Sequence, residues 1–380
     1  MGMPKTNEST GSPSLPSGKG DVACKANKIT IMKKKSSARS LESLVSAGVL
    51  PAVTPGLRAV AAQYAVAVTP AMLALMNPAD PADPIAAQFV PSEKELAVLP
   101  EECSDPIGDR THSPVEGIVH RYPDRVLLKL LHTCPVYCRF CFRREQVGHH
   151  DGMLKPKAIE NAVAYIREHS EIWEVVLSGG DPLVLSNRRL AEIVAQLNAI
   201  DHVKILRIHT RVPVVDPTRI TPDLVQALRG RMPVYVLLHC NHARELTVEA
   251  RAACGRLVDA GFPLLSQSVL LRGVNDTPES LGDLMRAFVE SRVTPHYLHH
   301  GDLARGTSHF RVPIAEGQAL LRSLRGKLSG LCQPTYVLDS PCGYGKVPIG
   351  PVFAVEKGDG WHVEECHGQA HVYRNAKPVK

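Results

Sequence analysis

The stretch LHTCPVYCRFCFRRE, residues 131–145, sets Cys134, Cys138 and Cys141 in a C-x3-C-x2-C spacing with no fourth cysteine beside them. Thiolates gathered this tightly point to metal. A structural zinc site wants four ligands and favours pairs of C-x2-C, so here it would have to recruit His149 or His150. An iron–sulfur cluster ordinarily takes four cysteines. Three would hold a 4Fe–4S cluster and leave one iron open to a further ligand. A second reactive group lies far along the chain: Lys346 in LDSPCGYGKVP, residues 338–348. This is no phosphate-cradling loop, because Val347 replaces the required Ser or Thr and Ser340 stands where the first Gly belongs. A lone lysine is commonly a solvated surface charge. On a tight glycine turn it can instead be held to condense with an aldehyde.

These residues need a scaffold, and the chain supplies a regular one. Strand-length apolar runs stand at 125–132, 173–180, 203–210, 233–240, 263–270 and 293–300. Helix-forming segments follow the first five, at 156–169, 187–198, 221–229, 247–260 and 278–290. Nearly continuous apolar strands predict a parallel sheet covered on both faces. The polar residues collect at the strand ends: the cysteine loop after the first, Ser178 to Pro182 after the second, then His209, His239 and the segment His299 to Asp302, with Gln267 inside the fifth. Chemistry at one end of every strand is the mark of a barrel, whereas an open sheet uses the strands at its switch point. The expected fold is an α/β partial (β/α)6 barrel over 116–310. A helical region and linker precede it at 41–115, and a C-terminal extension follows at 311–380.

The flanks and bulk composition narrow the class. Residues 1–40 are rich in Ser, Pro, Gly and Lys and are expected to be disordered. Residues 59–76 predict a buried helix ending near Pro70, too polar to span a membrane. NPADPADP, residues 77–84, reads as a surface linker. Ten cysteines in 380 residues are too sparse for a disulfide scaffold, and with no secretory signal the reading is a reducing, cytoplasmic protein. The net charge of +6 comes without a basic stripe interleaved with aromatics, so no nucleic-acid partner is indicated.

The cysteine loop, with Tyr137 and Phe140 inside it and the SGGDP run after the second strand, resembles the radical S-adenosylmethionine enzymes. Segment 108–355 is more narrowly similar to the lysine 2,3-aminomutase family, through HRYPDRVLL, LSGGDPL, RITPDLV, QSVLLRGVND, SHFRVP and LRGKLSG. The resemblance implies an isomerase that moves the amino group of L-lysine from C2 to C3 by a 5′-deoxyadenosyl radical mechanism. Its cofactors would be a 4Fe–4S cluster on Cys134, Cys138 and Cys141, S-adenosylmethionine, and pyridoxal 5′-phosphate attached to Lys346. Arg121, Tyr122 and Arg125 would hold the pyridoxal phosphate. Ser178, Gly179, Gly180, His239 and Gln267 would face S-adenosylmethionine. Arg143 would take the substrate carboxylate, and Asp302 with Asp339 its distant ammonium. The resemblance also implies an electron donor of flavodoxin or ferredoxin type and a homo-oligomer. Thr277 stands where the clostridial members carry a zinc-binding cysteine, so a structural zinc is not expected from that position. Two alternatives are the aminomutase branch that serves elongation factor P and a zinc-stabilised binding protein without turnover.

Overall fold

Each strand-length run becomes a strand and each segment behind it a helix. The computed structural model describes residue 2 and residues 36–148, 152–358, 360–365 and 368–374. The expectation of disorder in 1–40 falls, through Lys35, outside the described residues. Met1–Lys35 and Ser36–Lys380 are separate units, and the architecture that follows is the second one's. Four short helices come first: α1 (Leu41–Ser46), α2 (Pro55–Gln63), α3 (Pro70–Leu75) and α4 (Pro84–Phe89). One sheet then runs in chain order through β1 (Ile118–Tyr122), β2 (Arg125–Leu131), β3 (Glu174–Gly179), β4 (Ile205–Thr210), β5 (Val234–His239), β6 (Leu264–Val269), β7 (Thr294–His299), β8 (Thr335–Ser340) and β9 (Gly345–Pro348). Strands β2 to β8 are parallel, and β1 and β9 lie antiparallel at the two edges. The crossover helices are α5 (Pro156–Glu168), α6 (Asn187–Asn198), α7 (Val212–Val215), α8 (Pro222–Leu228), α9 (Val248–Asp259), α10 (Pro278–Glu290) and α11 (Ile314–Leu324). Strands β10 (Ala354–Lys357), β11 (Gly360–Glu364) and β12 (Ala370–Tyr373) make a small antiparallel sheet.

The expected partial barrel is therefore present, with β8 as an added parallel strand. Strand alternation sorts its residues. In β4, Leu206, Ile208 and Thr210 are buried, while Arg207 and His209 between them are only partly so. The first set faces the helices and the second the inner face of the sheet. The sheet's edges meet through a side chain: the Lys346 N–H of β9 donates to the Tyr122 hydroxyl at the end of β1, 2.7 Å away.

The N-terminal helices grip the cysteine loop. Tyr137 N–H donates to the Ala67 carbonyl at 2.8 Å and Arg139 N–H to that of Gln88 at 2.9 Å. Glu95 accepts from Arg139 Nε at 3.0 Å and Nη2 at 2.6 Å, and from the Arg144 guanidinium as well. All three of these charged residues are buried. The helix expected over 59–76 is not continuous. Helix α2 ends at Gln63 and Tyr64 is extended, while Pro70 opens α3 rather than closing a helix, with Thr69 as its N-cap. Proline is at home in a first turn because its missing N–H has no partner there anyway. The linker expectation for 77–84 also needs one correction. Its Asp83 is buried and caps α4, accepting from Ile85 N–H at 2.9 Å and Ala86 N–H at 2.8 Å.

Because Glu95 is the shared acceptor for two buried guanidinium groups, Glu95→Ala strands both. Denaturant unfolding of this variant is expected to show a loss on the order of 3–5 kcal/mol; an unchanged midpoint contradicts the clamp.

Candidate active site

The three cysteines lie on the loop that leaves β2, and every sulfur has an N–H beside it. Cys138 Sγ accepts from Arg211 Nη1 at 2.9 Å. Cys134 is served by the backbone N–H of Asp181 and Cys141 by that of Arg143. Burial pushes all three thiols up, Cys141 to about 11, and neighbouring sulfurs add to it at Cys134 and Cys141, while Arg211 pulls Cys138 partly back down. They are thus close electrostatic neighbours. Yet among the described residues no three His, Cys, Asp or Glu side chains converge on one ion. Ligands of a 4Fe–4S cluster bind separate irons and stand wider apart than ligands sharing one ion. Buried sulfurs gathered on one loop, each with an N–H donor beside it, fit the cluster.

The SGGDP segment closes against this loop. A Cβ on Gly179 would stand 2.4 Å from the Leu131 carbonyl oxygen, and one on Gly180 would stand 2.3 Å from that of Thr133. Both are glycine because the backbone just before Cys134 already fills the space, and Gly179 also has a φ of 106°. Ser178 is buried next to Lys129 of β2 in register. Asp181 accepts from Thr210 Oγ1 at 2.8 Å, Arg211 N–H at 2.7 Å and Leu183 N–H at 3.1 Å, tying β3 to β4.

A chain of opposite charges crosses from the cysteine loop to the lysine. Arg143 Nε donates to Asp109 at 2.8 Å. Asp109 lies 3.5 Å from Arg121 Nη2 and 3.6 Å from Lys129 Nζ. Arg121 Nη1 reaches Asp339 at 3.6 Å, and Asp339 accepts from Lys346 Nζ at 2.5 Å. His299 Nδ1 stands 3.6 Å from Asp339 on another side. Burial pushes the Asp109 and Asp339 carboxyls up, and their neighbours more than reverse it, Arg143 first at Asp109 and His299 then Lys346 at Asp339, so both are held below the usual range. Asp302 goes the other way. Burial first and then the charge of Asp339 raise it to about 7, against the pull of Lys346 and Arg143.

The structure therefore brings together Arg121, Tyr122, Arg143, Asp302, Asp339 and Lys346. Arg125 sits lower on β2, its guanidinium 3.8 Å from the Tyr122 ring centroid and 2.7 Å from Asp124. His239 and Gln267 are register partners on β5 and β6. His239 stacks on Phe140 of the cysteine loop, with centroids 5.7 Å apart. Burial lowers its pKa well below the ordinary value, and its buried Nε2 has no hydrogen-bond partner. Asp109, Lys129 and Arg211 are site residues that sequence reasoning misses, while His299 lies in the polar segment that ends the sixth apolar run. Lys129 did carry a signal, as the one charge inside the apolar run VLLKLLH. Asp109 carried none. Thr277 caps α10, accepting from Ser280 N–H at 3.2 Å.

Residues 128–285 match the radical SAM superfamily. The chain is 45% identical over 291 residues to L-lysine 2,3-aminomutase of Clostridium subterminale, a match covering 77% of this chain and 70% of that protein. The chain belongs to the lysine 2,3-aminomutase family. Within that family, it is 39% identical over 290 residues to L-lysine 2,3-aminomutase of Bacillus subtilis, covering 76% of this chain and 62% of that one. Glutamate 2,3-aminomutase of Clostridioides difficile is 37% identical over 302 residues, covering 80% and 71%. Membership makes this an isomerase that uses a 4Fe–4S cluster and S-adenosylmethionine, in a family whose members depend on pyridoxal phosphate.

Adding a methyl group at Gly180 must push the cysteine loop aside. Gly180→Ala is expected to cost about 1–3 kcal/mol and to lower the iron bound per chain, measured by thermal denaturation and iron assay. A variant that is fully loaded and equally stable contradicts the packing role. A second outcome follows from Asp302. Its folded-state pKa is raised, so the folded protein binds this proton more tightly than the unfolded chain does. Its contribution to stability therefore falls as pH climbs from about 4 through about 7. Asp302→Asn should raise the melting temperature at pH 8, with the gain fading toward pH 4–5. A gain that is the same at both pH values goes against this assignment.

Proposed function

We propose that this protein is an L-lysine 2,3-aminomutase, converting L-lysine to β-lysine. The observation that carries the reading is the pair Asp302 and Asp339, coupled electrostatically beside Lys346 and Arg143. Two carboxylates around one space recognise a side-chain ammonium and repel the carboxylate of glutamate. This favours lysine over the substrate named for the Clostridioides relative. The Asp339 to Lys346 run, DSPCGYGK, keeps the turn intact, which favours free lysine over the elongation-factor branch.

In this reading the residues take the following roles. Cys134, Cys138 and Cys141 hold the cluster, with His239, Gln267 and the Ser178–Gly180 segment facing S-adenosylmethionine. Lys346 anchors pyridoxal phosphate, and Arg121, Tyr122 and Arg125 hold its phosphate and ring. When bound, these groups supply an adenosyl radical and an aromatic ring that spreads unpaired electron density. The protein's own part is to orient and to shield. Arg143 offers a fork that fixes a substrate carboxylate in direction as well as in charge. Asp339 can receive the substrate ammonium only where Lys346 gives up its hold. The inner face of the barrel keeps solvent from the reacting carbons. The electron donor in this reading is a flavodoxin or ferredoxin, the assembly a homo-oligomer and the compartment the cytoplasm. Among the described residues, no helix is long and apolar enough to cross a membrane.

The test is anaerobic turnover of reconstituted protein with both cofactors and reductant. β-Lysine should form from L-lysine, and no β-glutamate from L-glutamate. Asp302→Asn and Asp339→Asn should each raise the KM for lysine by ~30-fold or more, the equivalent of the roughly 2 kcal/mol floor for truncating one partner of a buried charge pair. Lysine left unchanged by the loaded protein sinks the reading.

A further inference from the structure

Arg211 belongs to neither the substrate site nor the charge chain, yet it is the only described guanidinium that donates to one of the three cysteine sulfurs. It follows β4 directly and is 5% exposed. Its backbone N–H and both terminal nitrogens are held, and only the buried Nε has no partner. Its N–H donates to Asp181, which in turn is bonded to Thr210 and Leu183. Nη1 donates to Cys138 Sγ at 2.9 Å, and Nη2 donates to Gln88 Oε1 and Glu245 Oε2, each at 2.6 Å. The guanidinium lies 4.5 Å from the centroid of Phe89 and 5.7 Å from that of Phe140.

Glu245, fully buried, is fixed just as firmly. Its Oε1 accepts from Gln88 Nε2 at 3.1 Å and from the N–H groups of Asn241 and His242 at 3.0 Å each. A structural ion pair needs no sulfur as a third partner. Here one nitrogen of the fork is spent on Cys138 while the other is anchored to the carboxylate. The arrangement fixes a positive charge against one thiolate and a negative charge one guanidinium farther away.

We infer that Arg211 is a positioning residue that sets the reduction potential of the cluster through Cys138, with Glu245 as its counterweight. This rests on the reading of the three cysteines as cluster ligands. A cluster gains negative charge on reduction, so a cation hydrogen-bonded to one of its sulfurs favours the reduced form. Neutralising Arg211 makes the cluster harder to reduce. Neutralising Glu245 leaves the guanidinium charge less compensated and makes the cluster easier to reduce. The two substitutions therefore move the potential in opposite directions.

The experiment is an EPR-monitored redox titration of the full-length, anaerobically reconstituted protein, with iron assayed on each sample. Arg211→Met is expected to shift the reduced-to-oxidised ratio at fixed potential at least tenfold toward oxidised, a midpoint lower by about 59 mV for a one-electron couple. Glu245→Gln is expected to shift it upward, and Arg211→Lys to fall between Arg211→Met and the parent. A residue that merely packs would lower iron occupancy or stability without this opposed pair of shifts. Unmoved midpoints in iron-loaded Arg211→Met and Arg211→Lys overturn the assignment. If Arg211→Met holds no iron, Glu245→Gln decides, and a midpoint that stays or falls overturns it. If the parent chain itself takes up no cluster, the reading of the three cysteines fails first and the assignment with it.

Discussion

The site depends on an alternation of charge in a space with little water. Arg143, Asp109, Arg121, Asp339 and Lys346 follow one another, cation then anion, from the cysteine loop to the glycine turn. Isolated, any of these groups would be expelled or neutralised on burial; in sequence, each lowers the cost of its neighbours. The chain of contacts also bridges parts of the protein far apart along the backbone. Asp109 comes from the stretch before β1, Arg121 from β1, Arg143 from beyond the last cysteine, and Asp339 and Lys346 from the last two strands of the sheet. Order in one part of the lumen is thereby made conditional on order in the others.

Two of these groups are meant, on the proposed function, for a substrate, and both already have partners at rest. Arg143 is held by Asp109, and Asp339 by Lys346. A zwitterionic diamino acid brings a carboxylate and ammonium groups to the same places, so it exchanges internal ion pairs for external ones. The net gain of such an exchange is small per contact, and specificity rests on having all contacts at once. Asp302 has no cation of its own among the close ion pairs and carries the raised pKa. It is the member of the set most in need of an incoming charge.

Much of this was legible in the sequence. The apolar runs with helices behind them were visible because strand and helix periodicities differ, and the cysteines because their spacing is compact. What escaped was held by contacts between distant residues. Asp109 lies in an irregular stretch with no periodicity to mark it, and its role exists only once Arg143 folds back over it. Arg211 sits in HTRVPV, where nothing local distinguishes it from a surface arginine. Strands β8 and β9 stood in the segment taken for a C-terminal extension, though TYVLDS has the β-branched and aromatic character of a strand. The 59–76 run misled because alanine-rich composition favours helix on propensity. The decision lay with tertiary pairing: Val68 bridges to Ala38, and Thr69 donates to the Val215 carbonyl at 2.5 Å.

The hydrogen bond from the Lys346 amide to the Tyr122 hydroxyl joins the outermost strands of an otherwise unclosed sheet. On the proposed function, the seam of the barrel and the anchor for the vitamin are one and the same residue. On that reading, a chain still assembling, with its last strand adrift, has no ordered amine to offer, and cofactor capture is reserved for molecules whose wall is already complete.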